Sequence, residues 1–548
     1  MRPLGPTGVL APGAVYNAGP EIEAAPARNR VRFLAVTLFV LLALLAGRAV
    51  QLAFSGDPLA APRGAAAALA LPRADLVDRN GVLLATTVRA FALTATPART
   101  FDAPATADAL IGLFPELDRE ATIRRLTDTS RRLVYLRRTL TPAQRDAVMD
   151  LGLAGIGFEA EDRRVYPQGA LAAHALGFTD VDLNPLAGVE RGLDETIRNA
   201  GEAGQAVRLS LDVRVQYALE EELSAAARAT GASGGAAILL DGRSGEALAL
   251  ASWPSFDPNA AGEAPENRRR DRVTGDVHEL GSTIKPFTVA MALQEELTNS
   301  REIFNLSQPM EIDGHTLVEH DPNIGWAGLR QILARSSNIG AAELALRVGG
   351  ARQRAYLDRL GLTAASELQT GRHQAPIAPR AQAHRDVAGL GFGYGLAATP
   401  ATLAGAYTVF VNDGARAAPT LIARAPETEV ERQIVFSPET TRQVLSYMRS
   451  AVVDGTGHAA DVPGLGVAGK TGTAEKLDDD DTYNEARNFS SFAGVFPVSD
   501  PRYVIVLALD DVGEGDGGGA VAAPAVARVL RRTAPMLGLR VEPAAAPR

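Results

Sequence analysis

At 548 residues the chain is too long for one ordinary hydrophobic core, so two folded domains with appendages are expected. A hydrophobic fraction of 46% and a charged fraction of 22% exclude a polytopic membrane protein and a largely disordered chain. The formal net charge of -9 argues against nucleic acid as a partner, because phosphates demand a dominant basic surface, and the absence of cysteine removes disulfide scaffolds, thiolate metal sites and cysteine nucleophiles.

Residues 1–32, rich in Gly, Pro and Ala at the start, are expected to form a tail. From Phe33 to Gly47 the sequence carries no charge, and its apolar character continues past Arg48 to Phe54. As a helix, 33–54 would span roughly 33 Å, about one bilayer core. Arg48 near the far end can snorkel to the interface, and Arg28, Arg30 and Arg32 just before the run place the N-terminus in the cytoplasm. Ala46-Gly47-Arg48-Ala49 is a poor cleavage site, which favours an uncleaved anchor over a signal peptide.

Residues 55–222 are expected to form a β-rich domain without chemistry of its own. Two short apolar runs flank Asn80-Gly81 and predict a hairpin. Between 101 and 160, helical patterns alternate with polar breaks, and Thr141 is placed to cap one helix. The segment from Arg163 to Glu190 is dense in turn formers and charges but holds no nucleophile, which suits packing and docking. The small-residue stretch Ala229–Gly235 reads as a hinge before a second domain over 223–540, with a flexible tail over 541–548. In that domain two apolar runs around Asp241–Gly245 form one hairpin, and GVAGKTGTA, SSFAGVFPV and YVIVLALD supply three more strands. The α+β expectation is an antiparallel sheet of about five strands built from both ends of the domain, flanked by helices and closed by a last helix near 520–537.

Three motifs follow the boundary in order: Ser282-Thr-Ile-Lys285, Ser336-Ser-Asn338 and Lys470-Thr-Gly-Thr473. Each alone is an ordinary helix face, turn or strand end; their joint order is the pattern of class A β-lactamases and penicillin-binding proteins. Pro286 cannot give an amide hydrogen to the Ser282 carbonyl, so a helix should begin close to Ser282, where the macrodipole favours a negatively charged oxygen. Lys285 lies one turn on, beside the hydroxyl. A serine hydroxyl needs a neighbour to take its proton, and a lysine does this near neutral pH only if its pKa falls well below the ordinary value of about 10.4. Burial and a second cation, Lys470, would provide that fall. Lys470, Thr471, Gly472 and Thr473 are the expected substrate-binding residues: Lys470 holds a carboxylate, Gly472 admits a ligand backbone, and the Thr473 amide pairs with that of Ser282 as an oxyanion hole. Ser336 relays a proton to the leaving amine, and Asn338 orients Lys285.

With Asp78-Arg-Asn-Gly81, Arg163-Arg-x-Tyr-Pro-x-Gly169, Ser255-Phe-Asp-Pro-Asn259, Gly393-Tyr-Gly395 and Asp454-Gly-Thr-Gly457 added, the chain resembles the class B penicillin-binding proteins, of the division-associated FtsI type. One departure is Leu280, where that family usually has proline; another is the acidic run Asp478 to Asp481. The resemblance implies a β-lactamase-like transpeptidase domain on a non-catalytic pedestal. Ser282 would attack the penultimate D-Ala carbonyl of a peptidoglycan stem peptide, and an amine of a neighbouring stem would then resolve the acyl-enzyme into a crosslink. β-Lactams would acylate the same oxygen, with no metal or cofactor. It also implies a single-pass protein of the inner membrane with its catalytic domain in the periplasm, partnered by a SEDS-type glycosyltransferase and divisome membrane proteins. Alternatives are an elongation-type class B enzyme, a non-catalytic β-lactam sensor and a divisome scaffold.

Overall fold

The computed structural model describes residues 33, 36–43, 45, 72–378, 383–425, 427–477, 483–513 and 517–541, and the chain divides at residue 70 into two compact units. In the first, the described residues are helical and carry exposed apolar side chains, Phe33, Phe39 and Leu45 among them. No described helix is long and apolar enough to cross a membrane. The 1–32 tail, the rest of the expected 33–54 anchor, the Asp478 to Asp481 run and residues 542–548 lie outside the described residues.

The second unit opens with the expected hairpin, β1 (Leu76–Val77) against β2 (Leu83–Ala95). The Asp78 carboxylate accepts from the amides of Asn80 and Val82, each at 2.8 Å, the local bond that makes this sequence a turn. It also accepts from the Val213 amide at 3.2 Å, which ties the hairpin to the start of a much later helix. β2 is the centre of a sheet, with β3 (Val134–Leu140) on one side and β4 (Ile156–Val165) on the other, both antiparallel.

Helices α1 (Ala103–Leu113), α2 (Arg119–Thr127) and α3 (Pro142–Asp150) each begin at a side chain that accepts a free backbone N–H: Asp102, Asp118 and Thr141. At Thr141 the cap is reciprocal, with Gln144 answering the Thr141 amide at 3.0 Å. Leu110, Leu126 and Val148 of these helices, with Phe114 just after α1, meet Leu93 and Leu136 of the sheet in a separate small core. This region is therefore mixed α/β rather than β-rich, because three capped helices bury their apolar faces on one side of the sheet.

Below that core lies a buried ion network. Arg73 and Arg164 both donate to Glu190, at 2.9 and 2.7 Å, and the three side chains are 2%, 1% and 0% exposed. Arg164 also donates to the Ala74 carbonyl at 2.7 Å, so one carboxylate holds two chain segments together. The backbone of Tyr166 exchanges two hydrogen bonds with the Asn259 amide, both at 2.9 Å. The charged segment after Arg163 is thus the joint between the two halves of the unit.

β5 (Val207–Arg208) leads into α4 (Val213–Thr230), which Gly231 ends in the left-handed region before β6 (Gly234–Asp241) begins. The expected hinge is a helix cap running directly into a buried strand, and residues 222 and 223 fall inside α4. β7 (Glu246–Trp253), β8 (Ala468–Leu477), β9 (Tyr483–Phe496) and β10 (Tyr503–Val512) complete a wholly antiparallel sheet in the order β8–β9–β10–β6–β7.

Alternation along β6 shows how the sheet is covered. Ala236, Ile238 and Leu240 point into one core, and Ala237 and Leu239 into the other. The second core is closed by α4 and by α8 (Ala522–Thr533), whose Val526, Val529 and Leu530 are fully buried. The first is filled by α5 (Lys285–Gln294), α6 (Asn338–Val348) and α7 (Pro438–Val453), among others. Replacing Glu190 with alanine leaves two buried guanidinium groups without their shared carboxylate. The expected outcome is a loss of about 3–5 kcal/mol in unfolding free energy, read by urea titration, and a loss below about 1 kcal/mol would show that the network is dispensable.

Candidate active site

The three motifs meet where α5 and α6 approach β8. Ser282 lies in a 3-10 turn, Gly281–Ile284, and the α-helix starts only at Lys285. The reason is Pro286: it cannot serve the Ser282 carbonyl, so the Lys285 amide does, one residue early, and the first turn tightens. The helix start falls three residues later than expected, with Ser282 in the turn that precedes it.

This turn is pressed onto β8. Gly281 has φ +49°, and a Cβ there would stand 2.9 Å from the Thr473 carbonyl oxygen. A Cβ on Gly472 would meet Ser491 Oγ at 2.5 Å and the Thr283 methyl at 2.8 Å. Gly472 therefore lets the strand pack closely beneath the serine turn. From the other side, the Leu280 amide donates to the Leu396 carbonyl at 3.0 Å, a bond that proline at 280 could not make. Tyr407 donates to the Thr283 carbonyl at 2.7 Å. Ser282 itself keeps partial exposure.

Lys285 is wholly buried. Its Nζ lies 2.6 Å from the Ser336 carbonyl, 2.7 Å from Asn338 Oδ1 and 3.1 Å from Ser336 Oγ. Ser336 Oγ in turn lies 2.9 Å from Ser282 Oγ. A neutral amine has two hydrogens and one lone pair. The two carbonyl oxygens can only accept, so a neutral Lys285 gives both its hydrogens to them, and a protonated one also donates its third to Ser336 Oγ. The described hydrogen bonds thus join Lys285 to Ser282 through Ser336 Oγ, which accepts from Lys285 Nζ and donates to Ser282 Oγ, where a direct contact between Lys285 and Ser282 was expected. Ser336 adopts φ 60°, a left-handed conformation rare for serine, which aims its carbonyl and its hydroxyl at the same amine.

Burial, and then the charge of Lys470, push the Lys285 pKa well below the ordinary lysine value, while Glu319 pulls it partly back. Lys470 is also wholly buried, and burial alone lowers it to about 7. Lys470 donates to the Thr471 carbonyl at 3.0 Å and approaches Thr471 Oγ1 at 3.3 Å. Thr471 Oγ1 lies 2.7 Å from Thr456 Oγ1. Thr473 is exposed, its hydroxyl accepting from the Gly518 amide at 3.1 Å.

All eight expected residues are thus placed on these three converging segments. Two further participants were not named from sequence: Thr456, within the quoted Asp454–Gly457 phrase, and Glu319, in a loop without any motif. The cavity of about 650 Å³ between α2 and β3 lies elsewhere and contains none of the three motifs.

A hydroxyl, two buried amines and a carboxamide held this way can perform acyl transfer through serine. Known proteins carry the same arrangement of domains. Residues 235–531 match the model of the penicillin binding protein transpeptidase domain, and residues 69–202 match that of the penicillin-binding protein dimerisation domain. The chain is 39% identical over 484 residues to a Caulobacter vibrioides protein named "Probable peptidoglycan D,D-transpeptidase FtsI", covering 85% of this chain and 82% of that one. It is 31% identical to the peptidoglycan D,D-transpeptidase FtsI of Escherichia coli K12, covering 84% and 82%. The crystal structure of penicillin binding protein 3 from Mycobacterium tuberculosis, complexed with aztreonam, superposes with a TM-score of 0.68 at 25% identity, over 86% of this chain and 97% of that one. With both domain models in order and relatives matched along most of their length, the chain belongs to the penicillin-binding protein transpeptidase family.

Proposed function

We propose that this protein is a peptidoglycan D,D-transpeptidase of the FtsI type, which crosslinks stem peptides during septal wall synthesis with Ser282 as nucleophile. The observation that carries the reading is the bonded path from the Ser282 hydroxyl through Ser336 to a buried Lys285 amine whose charged form is disfavoured.

Ser282 Oγ attacks the carbonyl carbon of the penultimate D-Ala as its proton passes by way of Ser336 to Lys285. The carbon–nitrogen bond breaks, the released D-Ala amine takes the proton, and an acyl-serine remains. An amine of a second stem attacks that ester, forms the crosslinking amide and returns a proton to Ser282. Asn338 holds one amine hydrogen of Lys285, so that the lone pair stays on the proton path. The amides of Ser282 and Thr473 receive the oxyanion; a donor of this kind is worth about 100- to 1000-fold in rate. Lys470, with the hydroxyls of Thr471 and Thr473, takes the substrate carboxylate, and a β-lactam follows the same route as far as the acyl-serine.

In this reading residues 1–32 are a cytoplasmic tail and 33–54 a single anchor in the inner membrane. The chain from residue 55 to the start of α4 forms the pedestal, α4 onward to 540 the periplasmic transpeptidase domain and 541–548 a tail. Glycan polymerisation comes from a SEDS-type glycosyltransferase that meets the anchor and pedestal among other divisome membrane proteins.

The full-length chain incubated with a fluorescent penicillin should become covalently labelled, Ser282→Ala should not, and Lys285→Ala should label at least about 100-fold more slowly. Label retained by Ser282→Ala would place the nucleophile elsewhere. Depletion in cells should produce filaments, and rounded cells would assign the enzyme to elongation instead.

A further inference from the structure

We propose that Glu319 is a positioning residue for acyl transfer: its carboxylate clamps the Ser336–Asn338 turn from outside and so fixes the base that serves Ser282. The inference rests on Ser282 being the nucleophile. It starts from the environment of Lys285, whose three described acceptors all belong to that turn. Whatever holds the turn therefore holds the amine. The turn cannot hold itself cheaply, since Ser336 sits in the left-handed region.

Glu319 follows a small hairpin of two strands, Met310–Ile312 and His315–Leu317. It accepts from the Ser337 hydroxyl, from the Ile339 amide at 2.8 Å and from the Asn338 amide at 3.2 Å. The two amides are the first of α6 and have no acceptor within the helix. Ser337 spends its own oxygen on the Gly340 amide at 2.8 Å, so Glu319 and Ser337 together cap the helix. Two residues on, Asp321 pairs with Arg335, the neighbour of Ser336 on its other side. The segment 319–321 is thus fastened to the second motif at both ends.

Glu319 also brings charge to the site. The charged groups bearing on Lys285 are Lys470 from β8, which disfavours its protonated form, and Glu319 from this loop, which favours it; Ser336 and Asn338 face it as neutral groups. Removing the negative charge while keeping the side chain's size separates the two effects. In Glu319→Gln one acceptor oxygen becomes an NH2 group facing amide hydrogens, and Lys285 is left opposite Lys470 alone.

The test is the acylation rate constant of the full-length chain with a fluorescent penicillin, followed across pH 5.5 to 9.5. Glu319→Gln should acylate about ten-fold or more slowly at pH 7. The acid limb of its profile should move to lower pH by about one unit, since an opposite charge no longer supports the protonated amine. Glu319→Asp keeps the charge on a shorter arm, so its rate should fall with the limb in place, and Ser337→Ala should behave in the same way. A Glu319→Gln profile parallel to the wild type at every pH would reduce Glu319 to an ordinary helix cap and overturn the proposal. So would an Asp variant as fast as the wild type, which decides the matter even if the Gln variant does not fold. Failure of the nucleophile assignment is distinct, because it appears as labelling of Ser282→Ala, whereas these outcomes concern an enzyme that labels at Ser282.

Discussion

Burying an amine beside another amine is the constraint around which this molecule is organised. Neither Lys285 nor Lys470 has access to water, and each would be charged in solution. Burial first, and then the charge of Lys470, makes the protonated form of Lys285 the costly one. A fold that only needed stability would not place them there; a fold that needs a neutral lysine next to a serine has few other ways to obtain one. The composition agrees: of 55 basic residues other than histidine only Lys285, Lys470 and Lys476 are lysines. Arginine serves wherever a permanent charge is wanted, as at Arg73 and Arg164, and it cannot lose its proton in the way a base must.

The rest of the second unit keeps those amines in place. The five-stranded sheet has a core on each face, so β8 is a rigid platform for the serine turn. The glycines at 281 and 472 let that turn approach at distances a Cβ would forbid. Farther away, Glu190 holds Arg73 and Arg164, and Tyr166 holds Asn259, so the N-terminal half of the unit is joined to the sheet through hydrogen-bonded polar contacts that tolerate little displacement. The phrases of the sequence without any nucleophile therefore serve the site indirectly, as the frame around it.

Local chemistry made much of this legible from the residues. The Asp78 turn, the Thr141 cap, the closing helix and the strands of the large sheet all follow from patterns confined to a few consecutive positions. The three motifs identified which side chains should converge. What depends on packing between distant segments was out of reach. Nothing near Ser336 foretells a left-handed backbone that inserts its hydroxyl between Ser282 and Lys285, and Glu319 stands in an undistinguished loop. The glycine at 472 could be seen to be needed, but its neighbours, Thr283 and Ser491, come from elsewhere in the chain. Ala229–Gly235 misled for a related reason: small residues that suit a flexible linker also suit a helix end and a tightly packed strand, and only the neighbours decide between them.

With only three lysines in the chain, the protonation state of Lys285 can be observed directly. A full-length sample labelled with 13C at lysine Cε, its Lys285 signal assigned by loss in Lys285→Arg, would be titrated by NMR. A neutral Lys285 amine at pH 7, protonating only as the solution is made acidic, is the result this account requires. A Lys285 signal that remains fully protonated until pH 10, like that of an exposed lysine, would contradict it.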